Sequence, residues 1–238
     1  MTSRDRRIIY ADPFDDPDEG ATMEFRLTFE GKLFSTQGSP RNGQTFGPER
    51  RDYRHGVRRQ FHSQLRELWE KTPHLKNGDE EGLDVRSLSL DSAPTWRART
   101  ALGLAQQHAM FGFNFVPLVT PEMHLLVGLD ILFLRRDPPG SLFSGANAGD
   151  IDNRIKTLVD CLRLPKPGDD YASLTPKDDE KPFYCLLQDD TLVTKLAVTT
   201  DLLLQDTSDA PNDADARLVI TVTLRPYRMS WSNLPFVG

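Results

Sequence analysis

The sequence predicts an α/β domain in which helices pack on a small mixed β-sheet. Three observations carry this. Glu24–Phe34 and Arg217–Arg225 alternate apolar and polar residues, the period of half-buried strands. Residues 52–71 and 151–162 instead repeat apolar residues at spacings of three and four, the period of helices. The run LLVGLDILFL within His124–Arg135 is short and almost wholly apolar, which suits a central strand covered on both faces.

In chain order, residues 1–22 read as an arm that starts basic (Arg4, Arg6, Arg7) and becomes acidic and proline-containing. The first strand turns Phe25, Leu27 and Phe29 to one side. A Gly-, Pro- and Asn-rich loop carrying Arg41, Arg50 and Arg51 follows it. The helix over Asp52–Lys71 has an apolar stripe of Tyr53, Val57, Phe61, Leu65 and Leu68, and an opposite basic stripe of His55, Arg59, His62 and Arg66. Residues 72–95 are breaker-rich, and Ala98–His108 forms a short helix. The Pro/Gly-rich loop RRDPPGSLFSGANAG leads into a helix over Ile151–Leu162, whose apolar face is Ile151, Ile155, Leu158, Val159 and Leu162. A polar insertion runs from Pro165 to Pro182, and a strand from Val193 to Thr200. The domain spans 23–228, with insertions near 72–123, 137–149 and 163–182, and 229–238 form a tail.

Composition narrows the function classes. With 238 residues and 38% hydrophobic content, the chain suits one domain with insertions. No apolar run approaches the roughly 18 residues of a membrane span, and the N-terminus lacks a basic-then-apolar leader, so a cytoplasmic protein with no membrane partner is expected. Cys161 and Cys185 are too few for a disulfide framework, and His55, His62, His74, His108 and His124 lack zinc-site companions. No phosphate-binding or dinucleotide-binding glycine motif occurs, which argues against a nucleotide cofactor, and no nucleophile elbow is present. The net charge of −6 argues against nucleic acid only on average, because acids outnumber bases twelve to three in residues 169–216 while residues 41–66 are basic.

The chemistry concentrates in Gly149-Asp150-Ile151-Asp152-Asn153-Arg154-Ile155-Lys156, where two carboxylates two residues apart lie at a loop-to-helix junction. Asp152, Lys156 and Asp160 recur along the helix side away from its apolar face. A second pair, Asp189-Asp190, precedes the strand at Val193. Carboxylates gathered in one place repel, and a hard divalent cation relieves that repulsion. Aspartates holding such an ion beside a lysine suit phosphodiester hydrolysis: the metal activates water and neutralises phosphate charge, and the lysine adds a point charge. Structural readings compete. Asp150 or Asp152 suits a helix N-cap, Lys156 suits an i,i+4 bridge to Asp152 or Asp160, and Asp189-Asp190 suits a turn.

GDIDNRIKTLVDCL followed by QDDTLVTKLAV resembles the signature of the RusA-like Holliday-junction resolvases. These are small dimeric Mg²⁺-dependent endonucleases in which D-x-D-N-x-x-K opens a helix and a later D-D pair leads into a strand. The resemblance implies the RusA-like architecture with enlarged loops. It implies Asp150, Asp152 and Asp190 as metal-binding catalytic carboxylates, Lys156 as the catalytic lysine, and Asn153 and Asp189 in support. It further implies Mg²⁺ as cofactor, with Mn²⁺ as a substitute, branched DNA as substrate and a homodimer. The alternatives are the same chemistry on flaps, hairpins or phage DNA, and a nucleic-acid-binding or regulatory subunit that does not cut.

Arg41, Arg50, Arg51, Arg54, Arg58 and Arg59 are the candidate phosphate-binding surface, against a solvated helix face. Tyr53, Phe46 and Trp69 suit base stacking, but the helical spacing of Tyr53 and Trp69 favours the core. Asp130, inside the apolar strand, either faces the site or is a satisfied structural carboxylate.

Overall fold

A computed structural model of the chain describes residues 23–34, 48–76, 101–136, 151–167, 171–204, 215–228, 233 and 236. The arm at 1–22, residues 77–100 of the insertion at 72–123, the insertion at 137–149, Arg41, Phe46 and Asp150 lie outside the described residues, and of His74 only its place in a helix is described.

The main sheet has four strands in the order β1-β7-β4-β6. They are β1 (Met23–Lys32), β4 (Leu125–Arg135), β6 (Val193–Leu202) and β7 (Asp215–Pro226). β7 runs antiparallel to both β1 and β4, whereas β6 runs parallel to β4, so the sheet is mixed. The register stacks Leu27, Ile220 and Ile131 in one row and Phe29, Leu218 and Phe133 in the next. All six side chains are buried. The alternation in β1 and β7 thus sets a continuous apolar face across three strands.

That face is covered by α1 (Pro48–Lys71) and α4 (Ile151–Leu162). α1 starts four residues before the expected Asp52, at Pro48, whose fixed φ and missing N–H suit the first helical position. Val57, Phe61, Leu65 and Trp69 are buried on its apolar side, which makes Trp69 a core residue. Tyr53 joins helix to sheet edge, donating to the Lys32 carbonyl at 3.0 Å and accepting from the Phe34 N–H at 2.8 Å. Burial raises the Tyr53 phenol to about 12. Tyr53→Phe keeps the ring and removes both bonds, so urea unfolding should report a loss of about 1 kcal/mol with an unchanged m-value.

β4 is central, but among the described residues only one of its faces is covered. Asp130 and Leu132 are exposed on the far side, where the register sets Asp130 beside Thr221 and Ala197. Apolar density alone cannot distinguish a strand with two covered faces from one with a single covered face. Asp130 therefore keeps its water, incurs no desolvation cost and lies on the sheet face opposite α4.

A second sheet was not expected. β2 (Ala109–Met110), β3 (Phe113–Val119) and β5 (Phe183–Leu187) form it in the order β2-β3-β5, with β3 and β5 parallel. Pro117 is tolerated in the middle strand because β2 reaches only Phe113 and Asn114. Phe113, Phe115, Tyr171, Phe183, Leu164 and Cys185 form its core. The segment expected to be a polar insertion, 165–182, thus contributes Tyr171 and Glu180 to the interior. The elements are completed by α2 (Pro73–Lys76) and α3 (Ala101–Gln107), which lies within the expected Ala98–His108, whose first three residues are outside the described ones.

The expected basic face of α1 is the joint to this second sheet. His62 stacks on Phe183 with centroids 4.5 Å apart, and its Nδ1 accepts from the Tyr184 N–H at 2.9 Å. That leaves Nε2 to donate to the Asp179 carbonyl, 2.8 Å away, which fixes the neutral tautomer. Burial lowers the His62 pKa, and burial likewise lowers that of His55. Below pH 6.5 the unfolded chain binds protons that these folded imidazoles refuse, so their stabilisation is complete above 6.5 and lost as pH falls through it. Urea midpoints should therefore drop between pH 7.5 and 5.5, and His62→Gln should flatten that slope.

Candidate active site

α4 spans Ile151–Leu162, the range its periodicity predicts. Ile155, Leu158, Cys161 and Leu162 are buried against the main sheet, which turns the helix so that Asp152 and Lys156 face solvent. Asp152 lies in the first turn, where a carboxylate complements the helix dipole, and its Oδ1 accepts the Asn153 N–H at 2.6 Å. Thr157 Oγ1 donates to the Asn153 carbonyl at 2.9 Å, tying the second turn to the first. Lys156 lies one turn after Asp152 on the same side. Among the described residues neither forms an ion pair, so the i,i+4 bridge that would have made them an ordinary surface pair is not formed.

Asp160, the third member of the stripe, is instead buried. Its Oδ1 accepts from Arg163 Nη2 at 2.8 Å, Oδ2 lies 3.6 Å from Arg54, and its carbonyl accepts from Arg58 Nη2 at 2.9 Å. It is a structural carboxylate that holds α1 against the end of α4.

The second acidic pair follows β5. Asp189 caps a single 3₁₀ turn over Asp190–Leu192, accepting the Thr191 N–H at 3.0 Å. Lys166 Nζ sits 2.9 Å from both Asp189 and Asp190. That ammonium, with the Thr191 N–H, holds the Asp189 carboxyl well below the usual carboxylate range, and the same contact raises Lys166. No sequence pattern singled out Lys166, which lies between two prolines in a stretch lacking periodicity.

The two acidic sites sit at different ends of α4. Arg163, directly after the helix, has Nε 4.0 Å from Asp190, whereas Asp152 lies about 15 Å of helical rise before Leu162. The described residues thus bring Asp189 and Asp190 together, and Asp152 and Lys156 together, without joining the two pairs. Among the described residues no three acidic, histidine or cysteine side chains group as a metal site. Asp189 and Asp190 are two partly exposed carboxylates that together neutralise one cation, the Lys166 ammonium.

The arginines expected to bind phosphate are largely committed within the fold. Arg58 is 2% exposed, with its guanidinium 5.3 Å over the Tyr171 ring, so it is withdrawn from the proposed surface. Arg54 pairs with Asp160, Arg51 with Asp52 and Ser173, and Arg59 with Asp179 and Glu180. Arg50 is half-buried. Helical spacing reported a basic stripe correctly, but its partners come from residues more than a hundred positions away. An open groove of about 410 Å³ remains beside Arg59, lined by Gln60, Ser63, Arg66 and Asp179. No family model, no curated protein and no solved structure matches the chain.

Proposed function

We propose that the chain is a Mg²⁺-dependent structure-specific endonuclease acting on branched DNA, with a four-way junction as its foremost substrate. The observation that carries the reading is the pair Asp152 and Lys156. They are exposed and one helical turn apart, and beyond the local bond from the Asn153 N–H to Asp152 neither side chain is tied to another part of the described fold. Asp150 and Asp152 would hold a divalent cation at the N-terminal end of α4, with Asp190 as the third carboxylate brought toward them by substrate. The cation, Mg²⁺ or Mn²⁺, supplies charge neutralisation at the phosphate and lowers the pKa of water. Lys156 places its ammonium at the scissile phosphate, where negative charge grows as the leaving oxygen departs. Asp189 and Lys166 position Asp190 for that step.

The test is cleavage by the purified full chain on labelled four-way junctions, flaps, hairpins and linear duplex, each with Mg²⁺, with Mn²⁺ and with EDTA. Paired symmetric nicks on the four-way junction alone, abolished by EDTA, are the expected result. Metal-dependent cutting of the other structures keeps the chemistry and changes the substrate. Binding without metal-dependent cutting of any DNA replaces the enzyme with a non-cutting subunit.

A further inference from the structure

The helices leave one strip of the main sheet bare. Through the parallel register, Leu196, Val198, Thr200 and Leu202 of β6 lie on the same sheet face as Leu129, Ile131, Phe133 and Arg135 of β4. Those four β4 residues are buried, whereas Leu196, Val198 and Leu202 remain 50%, 38% and 38% exposed. An apolar shelf therefore runs along β6 on the helix side of the sheet.

The packing of α1 decides which flank of α4 overlooks this shelf. α1 is bonded to β1, at the opposite edge of the sheet, through Tyr53, Gln60 and Gln64. It meets α4 at Cys161, whose Sγ donates to the Arg54 carbonyl, and at the Asp160 carbonyl, which accepts from Arg58. Asp152 precedes Cys161 by nine residues, which is half a turn round the helix. Asp152 therefore sits on the flank turned away from α1 and toward β6, and Lys156 stands one turn along from it. The ends agree. α4 carries the chain back from the end of β4 toward the start of β6, and Arg163 reaches Asp190, just before β6 begins at Val193. The rise of about 15 Å from Leu162 back to Asp152 equals about four or five residues of strand, which sets Asp152 over the middle of β6. The result is a cleft with an apolar floor and a charged wall.

We propose that this cleft receives an unpaired nucleotide of the DNA, its base laid on Leu196 and Val198 and its phosphate at Lys156. The inference rests on the nuclease reading for its substrate and deepens it: the branch is recognised through a nucleotide taken out of its stack. Charge and apolarity select this occupant together. The Lys156 ammonium complements a phosphate, and the shelf complements an apolar surface directly beside it. A paired duplex turns sugar and phosphate outward to a flat surface, and neither gains from contact with leucine and valine. An unstacked base offers an apolar face, and bases at a branch or mismatch cost least to unstack. The floor carries a single hydroxyl, that of the half-buried Thr200, so it reads the unpaired state rather than a base sequence.

The test is binding of the full chain, in EDTA, to a four-way junction carrying 2-aminopurine at the branch nucleotides, a base whose fluorescence rises when it leaves the stack. The wild type should raise the fluorescence. The double variant Leu196→Thr with Val198→Thr keeps β-branched, strand-forming side chains and removes the apolar floor. It should abolish the rise and weaken junction binding by about tenfold, while binding to fully paired duplex stays unchanged. Leu132→Thr is the control, since Leu132 is 37% exposed on the opposite face of the same sheet, and it should leave both readouts at wild-type values. No rise with the wild type overturns the proposal, as does a double variant that behaves like Leu132→Thr. A double variant whose loss accompanies a change in oligomeric mass overturns it too, and assigns the shelf to contact between copies of the chain. Binding without metal keeps the two readings apart. Metal-dependent cleavage without a fluorescence rise retains the nuclease and removes the shelf, whereas a rise without cleavage retains the shelf on a subunit that does not cut.

Discussion

Asp152→Asn is expected to reduce Mg²⁺-dependent cleavage by at least about 100-fold while leaving thermal unfolding nearly unchanged. The substitution is conservative where the fold uses the side chain. Asparagine keeps an oxygen able to accept the Asn153 N–H, and aspartate and asparagine serve helix N-termini about equally. What it removes is the negative charge, which a cation needs and which the exposed helix end uses for only about 0.3–1 kcal/mol. Lys156→Ala should cause a loss of the same order, because the ammonium has no described structural partner to lose. If both act on one phosphate, the double variant should be scarcely worse than either single variant, since groups working as a unit are strongly non-additive. Independent surface residues would instead leave cleavage at the wild-type rate in all three variants. That outcome would reduce the exposed face of α4 to ordinary solvated helix. Parallel melting curves separate a lost charge from a lost fold.

The contrast between α4 and the rest of the molecule shows what a single sequence can disclose. The bounds of α4 were legible because its apolar residues recur at helical spacing between a Gly-rich loop and Pro165. The strands β1 and β7 were legible because one face meets water and the other meets helices. β4 was located correctly, yet its composition does not reveal whether a second layer covers it. The second sheet escaped notice because Pro117 interrupts one strand and Phe183–Leu187 is only five residues long. Its aromatic core assembles across segments far apart in sequence, so no local window contains it. The candidate site divides in the same way. The chemistry of Asp152, Lys156, Asp189 and Asp190 is visible in residue types and spacing. The length of α4 between the two pairs is a property of the folded chain, as is the capture of Asp160 by Arg54, Arg58 and Arg163.

The same long-range logic makes Glu180 the residue whose loss should destabilise the fold most sharply. It is fully buried at the end of a 3₁₀ turn, Asp178–Glu180. One oxygen accepts the Lys177 N–H at 2.9 Å, and the other lies 2.9 Å from Arg59 Nε and 3.0 Å from His55 Nε2. Both of those partners belong to α1, so this one carboxyl fastens the helix to the second sheet. Glu180→Ala strands a partly buried imidazole and a partly buried guanidinium and opens a cavity beside Tyr171, which hydrogen-bonds the other ring nitrogen of His55. A cost of about 3 kcal/mol follows, since removing one member of a buried pair leaves the other uncompensated. At about 2–4 °C per kcal/mol for a chain of this length, the melting temperature should fall by roughly 6–12 °C. Asp179 is the internal control. It also pairs with Arg59, at 2.8 Å, but its side chain is exposed, so Asp179→Ala should cost little. Glu180→Gln keeps the volume and should recover part of the loss, which separates the cavity from the charge. Equal melting temperatures for the Asp179 and Glu180 variants would mean that α1 is held to the second sheet by its apolar contacts and the His62–Phe183 stack rather than by this carboxyl.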